Sequence, residues 1–238
     1  VATLKDLIAV FSGGSVLDEV RNSLVASGGF LESPRYGRAA LGQYFRATNG
    51  TFGTGTGMSI VTTFVATSPL LTIVNGAPAG GPSIYVDYIK LMNTVAGATT
   101  TQAHIGTVLD LANRYSSGGA ALTGAPVNSG SKAAPIASIN FGAIVATAAS
   151  ASVRLLGRDI IKTQAAPCWV VGDEVFIKCE NVDTPAGATN GAGTAIYPAP
   201  MGPVIIAPGH TFLLYMWNVA NATTAPSWEV EVAWWERP

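Results

Sequence analysis

The sequence predicts an all-β fold, a jelly-roll-like β-sandwich with a short N-terminal helical arm. Three observations carry that prediction. From residue 58 onward the chain is a succession of short runs rich in β-branched and aromatic residues, separated by Gly, Pro and Asn. No alternation of strand-like and helix-like segments interrupts the succession, which points to a two-sheet sandwich or a barrel, with a jelly roll as the first choice. At the end of the chain, Trp228, Val230, Val232 and Trp234 alternate with Glu229, Glu231 and Trp235, the period-2 pattern of a strand with one covered and one open face.

The first thirty residues follow a different period. Leu4, Leu7, Ile8 and Phe11 fall at the i, i+3, i+4, i+7 spacing of one helical face, with Thr3 and Asp6 placed as a capping box. Gly13-Gly14 ends that helix. Ser15 and Asp18 repeat the start signal, and Val16, Val20 and Leu24 supply a second apolar stripe up to Gly28-Gly29. Helices this short are marginal alone in water, so their stripes need cover. That cover is either the end of this chain's own sandwich or a neighbouring subunit. Ser33 to Gly57, with Pro34 and the run Gly53-Thr54-Gly55-Thr56-Gly57, reads as an extended connector. The run lacks the Lys and Ser/Thr of a phosphate cradle. The expected division is therefore an arm and connector over 1–57 and a sandwich over 58–238.

Within the sandwich, strands are expected at Met58–Thr67, Leu70–Asn75, Ile84–Asn93, His104–Asn113, Ile139–Thr147, Val153–Lys162, Glu174–Glu180, Val204–Ala207, Thr211–Val219 and Trp228–Glu236. Phe212 to Trp217 are apolar in succession, which predicts a strand covered on both faces. Ser116–Ala133 and Asn181–Met201 are Gly, Ala, Ser, Thr, Asn and Pro almost throughout and read as loops. Cys168 and Cys179 flank a segment that would turn at Asp173-Glu174. A hairpin there would set the thiols opposite each other, although two reduced thiols are the preferred reading.

Composition narrows the function classes. Hydrophobic residues make up 48% of the chain and charged residues only 11%, against roughly 25% charged in ordinary soluble domains. So few charges point to a surface partly covered by an oligomer or a larger assembly. The net charge of −1, with no run of Lys or Arg, argues against nucleic acid or an anionic membrane as partner. No stretch approaches the roughly 20 apolar residues of a membrane span. Val1 to Val10 does not have the pattern of a secretory signal, which makes a cytoplasm the expected place of synthesis.

Catalytic, cofactor and metal chemistry find no signature. His104 opens a strand and His210 follows Pro208-Gly209; both read as structural or surface residues, and no Cys-x-x-Cys accompanies them. Paired carboxylates for glycoside cleavage can come together only in space, from among Asp87, Asp110, Asp159, Asp173, Glu174, Glu229 and Glu231. Arg154 and Arg158, four apart, are expected on one side of a strand as partners for a neighbour's carboxylates. Trp217, Trp228, Trp234, Trp235 and Tyr215 lie on two terminal strands expected to pair as a hairpin. Trp235, which shares a face with Glu229 and Glu231, is the ring expected in the open, where it suits a sugar platform or a protein interface.

The segments Arg114-Tyr-Ser-Ser-Gly-Gly119, Ile206-Ala-Pro-Gly-His-Thr-Phe-Leu-Leu214 and Trp228-Glu-Val-Glu-Val-Ala-Trp-Trp-Glu-Arg237, with the helical arm, resemble tailed-bacteriophage virion proteins of the jelly-roll type. The resemblance is one of style over Met58 to Pro238, and no functional residue is carried over from it. It implies a capsid cement or decoration protein, a trimer on the outer surface of the virion, assembled in the host cytoplasm, that ties major capsid subunits together. A tail or head-fibre adaptor and a glycan- or receptor-binding module are the alternatives. The candidate interface is then Leu4, Leu7, Ile8 and Phe11 of the arm, with Arg154, Arg158 and Trp235.

Overall fold

The computed structural model describes residues 34–49, 51–59, 61–97, 102–163, 169–179, 195–196, 203–219 and 225–237. Their order is helix α1 (Pro34–Ala40), then strands β1 (Tyr44–Thr48), β2 (Thr56–Gly57), β3 (Leu71–Asn75), β4 (Ser83–Val95), β5 (Gln102–Asp110), β6 (Tyr115–Leu122) and β7 (Ala125–Pro126). There follow β8 (Ala137–Ala146), β9 (Arg154–Thr163), β10 (Glu174–Lys178), β11 (Ala195–Ile196), β12 (Val204–Ile206), β13 (Thr211–Val219) and β14 (Ser227–Arg237). The candidate arm residues Leu4, Leu7, Ile8 and Phe11 lie outside the described residues.

Two sheets form. One runs β11-β10-β4-β14-β1-β7, with β12 also on β4 and β2 also on β14; the other runs β6-β8-β3-β13-β5-β9. All pairings are antiparallel except β10 with β11. Taking β1, β3, β4, β5, β9, β10, β13 and β14 as the eight strands of a roll, their spatial orders are 1-8-3-6 and 2-7-4-5. That is the jelly-roll arrangement of two interleaved Greek keys. The protein is an all-β sandwich, as the alternation predicts.

The core lies between the sheets. Trp228, Val230, Val232 and Trp234 of β14 all face it at 0–2% exposure, next to Ile84, Val86, Ile89 and Leu91 of β4. Phe212, Leu214 and Met216 of β13 close it from the opposite sheet. Burying each such side chain contributes roughly 1.5–3 kcal/mol.

The expected double cover of β13 is also present. Its other face carries Leu213, Tyr215 and Trp217, which form a second cluster with Val108 and Ala146. The cover is a strap of turns over residues 61–68, where Phe64 packs 5.0 Å from Tyr215 and 5.6 Å from Trp217. The strap is part of the stretch expected to be the sandwich's first strand. Its backbone instead bonds sideways, Asn218 N to Val61 O and Ala146 N to Thr67 O.

The first strand of the roll is β1, inside the stretch expected to be connector. Phe45 and Ala47 face the core while Arg46 and Thr48 face out, and all five residues of β1 pair with β14. Five residues between glycine-rich flanks are too short for the alternation to stand out. β6 likewise lies in an expected loop. It is an edge strand, exposed over most of its length, and it takes its order from pairing with β8 rather than from burial. In a jelly roll the last two strands belong to different sheets, so β13 and β14 do not form the expected hairpin. Trp169 is not part of a hairpin either. It is fully buried edge-on against Trp228, 4.6 Å between ring centres, and a turn leads from it to β10. Cys179 is buried, and Cys168 lies outside the described residues.

Candidate functional site

The outward face of the sheet containing β4, β14 and β1 carries a row of partly open aromatic side chains, Tyr85, Tyr88, Phe176 and Trp235, with Arg46, Lys90, Glu229 and Glu231 among them. β4 has one residue more than β14 where Ala233 pairs with Tyr88 and Trp234 with Val86. The extra residue is Asp87, and the bulge brings Tyr85 and Tyr88, three apart, onto the same outward face. It also aims Asp87 outward. Its carboxylate is buried, accepts a hydrogen bond from the Tyr44 hydroxyl and pairs with Arg35 of α1 at 2.6 Å. Burial first, then the bond to Asp87, pushes the Tyr44 phenol above its ordinary range, so it remains a donor.

Rings stand in rows across the strands. Trp235 has Tyr85 on one side, 5.6 Å away and 6° from parallel, and Tyr44 on the other, 6.5 Å away and 16° from parallel. Tyr88 stacks on Phe176 of β10 at 5.1 Å. Arg46 lies 5.6 Å over Tyr88, and Lys178 lies 5.7 Å over Phe176. Tyr88 donates to Glu231, which pairs with Arg46 at 3.2 Å, while Lys90 pairs with Glu174 at 2.7 Å. Burial and the bond to Glu231 raise the Tyr88 phenol as well. Beside this ladder a shallow cleft of about 170 Å³ lies between Thr48, Phe52, Lys90, Met92, Glu229 and Glu231.

Trp235 is half-buried on this face, as expected, but its indole has a tyrosine ring on each side. A sugar platform needs a free ring face; this indole presents its edge. Sequence reading missed Tyr44, Tyr85, Tyr88 and Phe176. The bulge at Asp87 breaks the period-2 phase, and that phase was the signal needed to group the two β4 tyrosines.

Arg154 and Arg158 are both exposed on β9, an edge strand of the second sheet among the described residues, but they do not share a face. Arg158 pairs opposite Gly106 and Arg154 opposite Leu109, with Leu156 as an extra residue between them. Gly106 is on the outer side under Trp217, while Leu109 faces the core, so the bulge sets the two cations on opposite faces. Arg158 lies 5.4 Å over the Trp217 ring. Leu155, on the same outer side as Arg158, is 79% exposed.

Of the candidate carboxylates, Glu229 and Glu231 line the cleft, and Asp87 and Glu174 lie elsewhere on the same sheet. Asp110 is buried beside Arg114 at the end of β5 and accepts hydrogen bonds from Ser150. Asp173 accepts the Val170 N–H in its turn, and Glu229 accepts the Gly53 N–H. Among the described residues no group of three or more His, Cys, Asp or Glu side chains is placed to hold a metal ion. Among the described residues no helix is long and apolar enough to cross a membrane.

The fold and these surfaces define a jelly-roll β-sandwich with an aromatic outer face and, among the described residues, β9 at the edge of the second sheet. No family model matches the chain, and no curated protein or solved structure matches it either.

Proposed function

We propose that this chain is a non-enzymatic structural protein of a virion, of the capsid cement or decoration type, which associates as a trimer and bridges major capsid subunits. One observation carries the reading. On the edge strand β9, Leu155 is 79% exposed and lies on the same outer side as the exposed Arg158. An apolar anchor rimmed by Arg is the composition of a protein–protein contact, and long apolar edge strands are ordinarily covered or blunted. The resemblance to phage jelly-roll proteins and the 11% charged composition agree with it. Burial over several such contacts adds avidity, which is how a cement protein would hold a shell under internal pressure.

The alternative of a glycan-binding module rests on Trp235, and the tyrosines on both sides of its indole count against that ring as a platform. Absolute mass by light scattering behind a sizing column tests the proposal. Three chains per particle are expected, falling to one in Leu155→Asp/Arg158→Glu with the β circular-dichroism signal intact. A wild-type monomer that also fails to bind undecorated shells overturns it.

A further inference from the structure

One carboxylate on the outward face of the β4–β14–β1 sheet lacks a counter-ion. At the cleft stand two cations, Arg46 and Lys90, and three carboxylates, Glu174, Glu229 and Glu231. Arg46 pairs with Glu231, and Lys90 pairs with Glu174. Glu229 is left with the Gly53 N–H and, among the described residues, no cation.

The same face shows what such a carboxylate takes. Arg46 lies over the Tyr88 ring while it pairs with Glu231, so one guanidinium meets a ring and a carboxylate together. Phe176 in turn carries Lys178 over its ring. Phe52 and Glu229 line one cleft and repeat the ring and the carboxylate without the cation, and Phe52 is 91% exposed. A single exposed phenylalanine is ordinary. One held beside an uncompensated carboxylate is a two-sided seat for a cation.

The seat is built before anything occupies it. Where β1 ends, the Asn49 side chain continues the pairing with β14: its Oδ1 accepts the Val230 N–H at 2.9 Å, and its Nδ2 donates to the Thr54 carbonyl at 3.1 Å. Gly53, at φ +81, donates its N–H to Glu229 and ties the Phe52 turn to the strand. Little ordering entropy is then lost on binding. The cleft volume of about 170 Å³ is well below the roughly 300–1,000 Å³ of pockets that enclose a whole ligand, so it takes the end of one side chain.

We propose that this cleft receives an arginine side chain presented by a partner protein, with the guanidinium stacked on Phe52 and forked onto the Glu229 carboxylate. Arginine suits the seat better than lysine, because its planar head lies on a ring and donates two parallel N–H bonds to a carboxylate, whereas an ammonium is a point charge. A seat this open holds a free head group weakly and acts as one contact within a larger protein interface, where arginine is enriched. The inference goes beyond the function proposed above: it concerns the β14 face, not the β9 edge, and does not depend on trimer formation.

Backbone amide NMR of the isotope-labelled full chain, titrated with acetyl-Gly-Arg-Gly-amide, reads the seat directly. Saturable shifts are expected at residues 51–54 and 229–231 in the millimolar range, with the matching lysine peptide weaker and the glutamate peptide without effect. Glu229→Gln keeps an acceptor for the Gly53 N–H and removes the charge; Phe52→Leu keeps an apolar side chain and removes the ring. Each should weaken the arginine peptide by about fivefold, the worth of one exposed ion pair or cation–π contact. Absence of saturable shifts, an equal response to the arginine and lysine peptides, or an affinity untouched by both substitutions overturns the proposal. Shifts at these residues with a methyl hexoside and none with the arginine peptide also overturn it and give the cleft to sugars. The titration does not read particle mass, so failure here and failure of the trimer remain distinguishable.

Discussion

Asp87 and Tyr44 meet over the outward face of one sheet with the whole of β14 between their strands. The contact exists because β4 carries one residue too many at that point. The same residue receives Arg35, so a single bulge fixes where the start of α1 is held.

Replacing Asp87 by Ala leaves the Tyr44 hydroxyl buried without its acceptor. A loss of about 1–3 kcal/mol is expected for a buried group so deprived. Arg35 adds little, since its side chain is 42% exposed. Urea unfolding should show a lower midpoint with an unchanged m-value, and hydrogen exchange should quicken in α1. Retention of the wild-type midpoint would show that water replaces the carboxylate without cost.

Arg114, in the loop between β5 and β6, is a buried cation. Its guanidinium donates to the Ala66 carbonyl at 2.7 Å and the Thr147 carbonyl at 2.6 Å and stands 3.5 Å from Asp110, with both side chains at 0–2% exposure. Arg114→Ala strands Asp110 in the interior and unpins the strap over β13. The expected cost is about 3–5 kcal/mol. Arg114→Lys should recover only part of it, because one ammonium does not reproduce the planar fork. Chemical denaturation measures the loss, and faster exchange confined to 61–68 identifies the strap.

Gly142 on β8 has φ +108, and a Cβ there would lie 2.6 Å from Thr56 Cγ2. Gly142→Ala therefore meets both a backbone penalty and a collision with β2, and about 1–3 kcal/mol of destabilisation is expected. Thermal unfolding of Gly142→Ala, with Gly53→Ala as a comparison, separates the two effects. Gly53 also has positive φ, but its Cβ would meet nothing within 4 Å.

What the sequence disclosed depended on burial. β14 and β13 were legible because Trp228, Val230, Val232 and Trp234 alternate and Phe212 to Trp217 do not, and both patterns follow directly from which faces are covered. β1 and β6 were not, the first being five residues long and the second an exposed edge without an apolar stripe. Among the candidate site residues, Trp235 lies on the face it was assigned. Arg154 and Arg158 were put on one side by counting in steps of two, and one extra residue at Leu156 inverted that relation. The β4 tyrosines were hidden by the bulge at Asp87 in the same way. Bulges are set by how two strands pair, which a single strand's sequence does not display.

His104 is 4% exposed, lies flat on Trp217 with ring centres 5.1 Å apart and planes 5° from parallel, and neither of its ring nitrogens has a hydrogen-bond partner among the described residues. Burial first, and then the charge of Arg158, lowers its pKa below the ordinary value of 6.5. In the window between the lowered folded value and 6.5, the unfolded chain binds a proton that the folded chain refuses. Stability therefore rises with pH across that window, is complete above it, and is lost as pH falls through it. His104→Phe keeps the stacked ring and removes the titration. At pH 7.5 the variant should be at least as stable as wild type, because an unpartnered polar ring gives way to an apolar one of similar shape. Between pH 7 and pH 5 wild type should lose more stability in urea than the variant does, while carboxylate titrations weigh equally on both. Parallel losses would show that His104 is protonated in the folded protein without penalty, with its nitrogens satisfied by water.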